Sequence, residues 1–108
     1  MKKVYIAHPL RGDIEANMKK ADDICKRLSG HGCIIPFSPL HAFGFLSAQG
    51  DQSIAMKYCF ALLASCNELW VHGNWRQSEG CLMEIEFAKQ RGMTIRYISD
   101  CGVVINHE

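Results

Sequence analysis

The sequence has almost no net charge: 12 Lys and Arg against 11 Asp and Glu leave +1 over 108 residues. That balance creates no basic field, so general affinity for nucleic acid is not expected. Long apolar runs are also lacking, and nowhere do hydrophobic residues continue far enough to span a bilayer. Met1-Lys2-Lys3 before Val4-Tyr5-Ile6-Ala7 resembles the start of a signal peptide, but the apolar stretch breaks at His8-Pro9 and Arg11. It reads instead as a first strand, and a cytoplasmic, reducing compartment is expected. The six cysteines contain no C-x-x-C pair and no two histidines stand four apart, so neither a metal site nor a disulfide framework is expected. The motifs G-x-G-x-x-G and G-x-x-x-x-G-K are missing too, which removes the standard dinucleotide and Walker-type phosphate cradles.

What is present is a globular composition, 48% hydrophobic and 21% charged, at the size of one domain spanning residues 1–108. Strand and helix signals alternate. Val4 to Ala7 reads as a buried strand, and Asp13 can cap a helix carrying Ile14, Met18, Ala21, Ile24, Cys25 and Leu28 at helical spacing. That helix ends near Ser29-Gly30 or Gly32. Cys33-Ile34-Ile35 before Pro36 is a short second strand. The stretch from Pro36 to Gly50 is long for a connection in a small domain, and such loops are usually functional. A helix starting at Asp51 or Ser53 runs to about Ser65, and Leu69 to His72 is the third strand. Ser78 can cap a helix that Gly92 ends, and Thr94 to Ile98 is the fourth strand. Val103-Val104-Ile105 is either a fifth short strand or a contact with another subunit. Strands separated by helices predict βαβ units. The expected fold class is α/β: a small doubly wound, flavodoxin/Rossmann-like three-layer domain with a four- to five-stranded, mainly parallel sheet.

In a parallel sheet the loops after the strands emerge at one edge, where open α/β sheets bind ligands. His8 to Asp13, Pro36 to Gly50 and Gly73 to Ser78 should therefore line one crevice. The first loop offers His8, Arg11 and Gly12, and the third offers Ser78 and the free N–H groups of its helix. Two helix N-termini, a guanidinium and a hydroxyl make a phosphate site. Glu84 lies on the helix face of Gly80, Cys81 and Ala88, whose small side chains leave room for something to approach, whereas Glu79 and Glu86 lie on other faces as solvated charges. Glu84 either reaches the crevice or is a third surface glutamate. Phe37, His41, Phe43 and Phe45 either wall a site for a flat ring such as a nucleobase or cap the core beneath the loop.

These residues carry a resemblance. Val4-Tyr5-Ile6-Ala7-His8-Pro9-Leu10-Arg11-Gly12 and Ser78-Glu79-Gly80-Cys81-Leu82-Met83-Glu84-Ile85 are similar to segments of the nucleoside 2-deoxyribosyltransferase-like superfamily, which includes small bacterial and phage domains. The match is nearest its 2'-deoxynucleoside 5'-monophosphate N-glycosidase branch. The resemblance implies that Glu84, ionised at neutral pH, is the nucleophile and that Tyr5 orients it. His8, Arg11, Gly12, Ser78 and Gly80 would hold the phosphate end of the substrate, and Phe37, His41, Phe43 and Asp51 the base. Ser78 stands where the transferases have aspartate, which would repel a phosphate. Cys59 stands where both branches have an aspartate, leaving Asp51 or His41 to assist the base. The implied reaction is hydrolysis of the N-glycosidic bond without a cofactor. The alternatives are base exchange by a deoxyribosyltransferase and a non-catalytic nucleotide-binding module. Relatives of this type form homodimers, so a homodimer or higher homo-oligomer acting on a small nucleotide or nucleoside is expected.

Overall fold

Burial of apolar strands organises the molecule, a computed structural model describing residues 1–47 and 50–99 and the backbone of 104–107. The elements are β1 (Lys2–Ala7), α1 (Ile14–Ser29), β2 (Ile34–Phe37), α2 (Pro39–Ala42), α3 (Ser53–Ala64), β3 (Glu68–Val71), a 3-10 turn (Trp75–Gln77), α4 (Glu79–Gln90), β4 (Thr94–Ile98) and β5 (Val104–His107). The sheet order is β2-β1-β3-β4-β5. Strands β1 to β4 pair in parallel, and β5 adds an antiparallel edge against β4. This is the doubly wound α/β architecture that the alternating pattern predicts. Among the described residues no helix is long and apolar enough to cross a membrane.

Local chemistry sets most boundaries. The Asp13 carboxylate accepts from the Ala16 N–H at 3.1 Å and opens α1, while Ser78 Oγ accepts from the Cys81 N–H at 3.2 Å and opens α4. Gly92, at φ +69°, lets the chain leave α4 in the left-handed conformation that a side chain disfavours. Two expectations change. Pro36 lies inside β2 rather than ending it, which the sheet tolerates because β2 is an edge strand and needs fewer ladder hydrogen bonds. The segment after Pro36 is not all loop, since Ser38 caps the short α2. The expected Val103–Ile105 strand is β5, although residue 103 lies outside the described residues.

The two sheet faces are unlike. On one, α3 and α4 cover Tyr5, Ala7, Leu69, Val71 and Ile95. On the other, α1 covers Val4 and Ile6, with Ile24 and Trp70 packed alongside. Beyond α1, this second face carries a charged network. Glu68 Oε1 accepts from Trp70 Nε1 and Arg96 Nε, each at 2.9 Å, and Glu68 Oε2 pairs with Lys2 Nζ at 2.8 Å. Burial alone would raise the Glu68 carboxyl, but hydrogen bonds from Lys2, Trp70 and Arg96 overcome it and hold it at about 2.

Candidate active site

The strand order reverses direction between β1 and β3, and in open α/β sheets the loops that follow the strands at such a point are where ligands bind. Loop 8–13 is pinned by Asn17, whose Nδ2 donates to Leu10 O at 3.0 Å and Arg11 O at 3.3 Å. Arg11 is exposed and donates from Nη2 to Gly50 O at 3.3 Å, tying this loop to the one before α3. Gly12 has φ +102° and open space around it.

Glu84 is buried, 5% exposed. It shares its stripe of α4 with Cys81, Ile85 and Ala88, all buried against the sheet. The expected room beside Cys81 and Ala88 is therefore filled, because small residues here let α4 pack closely on the strands. At Gly80 an added Cβ would meet Met56 Sδ at 3.8 Å and Ser78 Oγ at 4.0 Å, so that side faces α3 and the helix cap. A carboxylate in an apolar stripe is costly unless it is hydrogen-bonded. Its partner is Tyr5, fully buried on β1, whose hydroxyl donates to Glu84 Oε2. Burial pushes the Glu84 carboxyl up to about 7, and the Tyr5 hydrogen bond works against that rise. Burial thus favours the protonated carboxyl, where a surface carboxylate would be fully ionised at neutral pH. Tyr5 is itself raised well above its ordinary value, first by burial, then by the Glu84 charge and by Cys59. Cys59 on α3 and Cys81 on α4 belong to the same packed cluster as Tyr5, and burial pushes these thiols up to about 11 and about 12.

The other anticipated residues divide. Phe37 lies opposite Tyr5 in the β1–β2 register and packs on the same core cluster. Phe43 turns to Tyr58 of α3, with ring centroids 5.5 Å apart, and to Phe45, which is 74% exposed. His41 is held by Ser38 Oγ at 2.6 Å and by Asp22 of α1 at 3.4 Å, drawn toward the helix on the sheet's other face. Asp51 accepts from the Ser53 N–H at 2.9 Å, and hydrogen bonds from Ser53 lower its carboxyl. An ionised helix-start carboxylate of this kind has no proton to give a leaving base.

Sequence reasoning missed His72. It follows β3 directly, and its N–H continues the ladder to Ala7 O at 2.9 Å. Both His72 and His8 are buried, each directly after its strand. His8 Nδ1 lies 2.8 Å from Pro9 O and His72 Nδ1 lies 3.2 Å from Trp70 O, and since a carbonyl only accepts, each Nδ1 carries a proton. Burial first, and then His8, lowers His72 to about 4, so it is neutral in the neutral range. Gly73 (φ +66°) leaves space for His8 and Pro9, because a Cβ there would lie 3.1 Å from both His8 Nε2 and Pro9 Cδ. The only sequence signal was the Val-His-Gly order at a strand end. The Trp75 ring lies 4.9 Å from that of Tyr97 and carries the Arg76 guanidinium 4.4 Å from its centroid. Among the described residues no group of three His, Cys, Asp or Glu converges as a metal-ion site.

Comparison with known proteins bears on the fold. The family model described as a domain of unknown function, DUF7768, matches residues 2–98. Among curated proteins there is no sequence match. Among solved structures, the chain is similar to a 2-deoxyribosyltransferase from Bacillus psychrosaccharolyticus, with 18% identity and a TM-score of 0.71, covering 96% of this chain and 77% of that one. It is also similar to a conserved protein from Enterococcus faecalis V583, with 19% identity and a TM-score of 0.69, covering 91% of this chain and 63% of that one. The fold is therefore nucleoside 2-deoxyribosyltransferase-like.

Proposed function

As the chain belongs to DUF7768, a family defined without a function, we propose from its own residues that it hydrolyses the N-glycosidic bond of a 2'-deoxynucleoside 5'-monophosphate. The observation that carries this reading is the buried Tyr5–Glu84 pair, a hydrogen bond that joins β1 to α4. In the proposed reaction the C1'–N bond breaks with its electron pair leaving on the base, and the sugar becomes oxocarbenium-like. A carboxylate oxygen of Glu84 bonds to C1', and Tyr5 holds the other oxygen. Water then attacks C1' and its oxygen becomes the sugar hydroxyl, its proton passes to the departed base, and the bond from C1' to the Glu84 oxygen breaks to return the carboxylate. Developing positive charge on the sugar favours ionised Glu84, offsetting the burial that raises its pKa in the free protein. The phosphate is assigned to Arg11, the Gly12 loop, Ser78 and the α4 N-terminus, and Phe37 is the aromatic wall nearest Tyr5. The same deoxynucleotides offered with a second free base separate hydrolysis from base exchange.

Ser78 tests the phosphate end. In Ser78→Asp the helix cap is kept, because aspartate caps as well as serine, but a negative charge faces the phosphate. Its kcat/KM for the monophosphate should fall about 100-fold, roughly 3 kcal/mol, while hydrolysis of the unphosphorylated deoxynucleoside is spared. Equal losses on both substrates would remove phosphate from the reading. Cys59 in place of an acid favours a second reading, a nucleotide-binding module without turnover. Stoichiometric nucleotide binding with no released base would establish that instead.

The partner proposed for this domain is a second copy of itself. Ile54 and Tyr58 on α3 and Leu82 and Met83 on the neighbouring α4 are 52%, 43%, 44% and 40% exposed, an apolar outer face beside the site. Sedimentation should give a dimer that Tyr58→Glu dissociates; a monomer at micromolar concentration would refute this.

A further inference from the structure

Nothing in the fold of α4 requires a glycine at position 80. It is the second residue of the helix, its φ is not positive, and alanine is the better helix former. Among the described residues an added Cβ would meet only Met56 Sδ at 3.8 Å and Ser78 Oγ at 4.0 Å, ordinary contact distances. Met56, Ser78 and Gly80 are all half-buried, so water reaches the notch they form between α3 and α4. A glycine that the backbone does not need keeps room for a close approach from outside.

Glu84 lies one turn further along α4, and helical side chains lean back over the turn before them. Its side chain is thus directed toward the turn that holds Gly80. On the reading proposed above, the sugar joins a phosphate at Ser78 to a C1' at Glu84, so it crosses Gly80 and meets Met56. Displacement of a β-linked base requires attack from the opposite face of the sugar, and on that face a ribose carries its 2'-hydroxyl. Ser78 is then committed to phosphate, and Glu84 to C1' and Tyr5. Gly80 offers no side chain, and the Met56 thioether is at best a weak acceptor. A 2'-hydroxyl would be covered there without a partner, whereas the methylene of a deoxyribose packs on the sulfur. We infer that Met56, closing the Gly80 notch from α3, is a specificity-determining residue that admits a 2'-deoxyribose and rejects a ribose.

This inference rests on the proposed reading of Ser78 and Glu84, but it is measured by binding, without turnover. Calorimetry on Glu84→Gln compares the common deoxynucleoside 5'-monophosphates with their ribonucleoside counterparts, while base release is followed separately with Glu84 in place. The deoxynucleotide should bind about 100-fold more tightly. Adding Met56→Gln, of similar size but able to bond a hydroxyl, should narrow that ratio to about tenfold, and Met56→Leu should keep it. Gly80→Ala should weaken deoxynucleotide binding at least about tenfold without lowering the urea midpoint. An unchanged ratio in Met56→Gln, an equal change in Met56→Leu, or a destabilised Gly80→Ala overturns the inference. A ratio that narrows in Met56→Gln alone, with no base released by the Glu84 protein, would sustain Met56 and end the glycosidase reading. Base release with a ratio indifferent to position 56 would do the reverse. No binding of any of these nucleotides would overturn both.

Discussion

Glu84→Gln should abolish base release from deoxynucleoside monophosphates while leaving the protein folded. Glutamine is nearly isosteric, and its amide oxygen can still accept the Tyr5 hydroxyl, so the packing of α4 on β1 survives. What disappears is the nucleophile, whose removal from a catalytic unit costs on the order of 10^6-fold in rate. In wild type only the ionised carboxyl can attack, and with a carboxyl near 7 the rate should fall about tenfold per pH unit on the acid side. The checks are chromatographic detection of free base over a pH series and circular dichroism of the variant. Undiminished release in Glu84→Gln would sink the enzymatic reading whatever else the site binds.

The same substitution should stabilise the protein in alkaline solution, and the sign follows from burial. The folded carboxyl sits at about 7 against an ordinary 4.5, so between those values the folded state holds a proton that the unfolded chain has released. Stability is therefore fully present below 4.5 and is lost as pH rises through 7. A shift of this size corresponds to roughly 3 kcal/mol. Glutamine does not ionise, so urea unfolding of Glu84→Gln and wild type should agree near pH 4.5 and diverge to roughly 3 kcal/mol by pH 8 in the variant's favour. His72 acts in the opposite sense: its folded value of about 4 contributes stability present above 6.5 and lost as pH falls toward 4. Glu68, depressed to about 2, loses its contribution only below 4.5. Both groups are common to the two proteins and cancel in the difference. A difference that stays flat from pH 4.5 to 8 would mean that Glu84 carries no burial cost. A destabilised functional position of this kind is what a site paid for by the rest of the fold would show.

Much of the scaffold is local and was legible from residue order. Asp13 and Ser78 mark helix starts because a short polar side chain satisfies the first free N–H groups wherever the chain goes next. Gly92 marks a helix end for an equally local reason, and Thr94–Ile98 declares itself by a run that only a strand buries. Pro36 misled because a proline's cost depends on whether its strand lies at an edge or in the centre, which is a property of the whole sheet. The α4 stripe misled more instructively. Helical spacing grouped Gly80, Cys81, Glu84 and Ala88 on one face, but it could not tell whether that face met solvent, ligand or the sheet.

The sequence by itself determined the alternation of strands and helices, the caps, and hence a parallel sheet with its loops at one edge, because these follow from interactions between near neighbours in the chain. Only the tertiary structure decided that Tyr5 and Glu84, 79 residues apart, share a hydrogen bond, that Cys59 packs on the same core cluster as Tyr5, and that His72 and His8 are both buried. Those contacts depend on strand order and on which sheet face each helix covers. The physical reason is burial. It sets the charge state of Glu84 and His72, and a carboxyl or an imidazole reads identically in the sequence whether water reaches it or not.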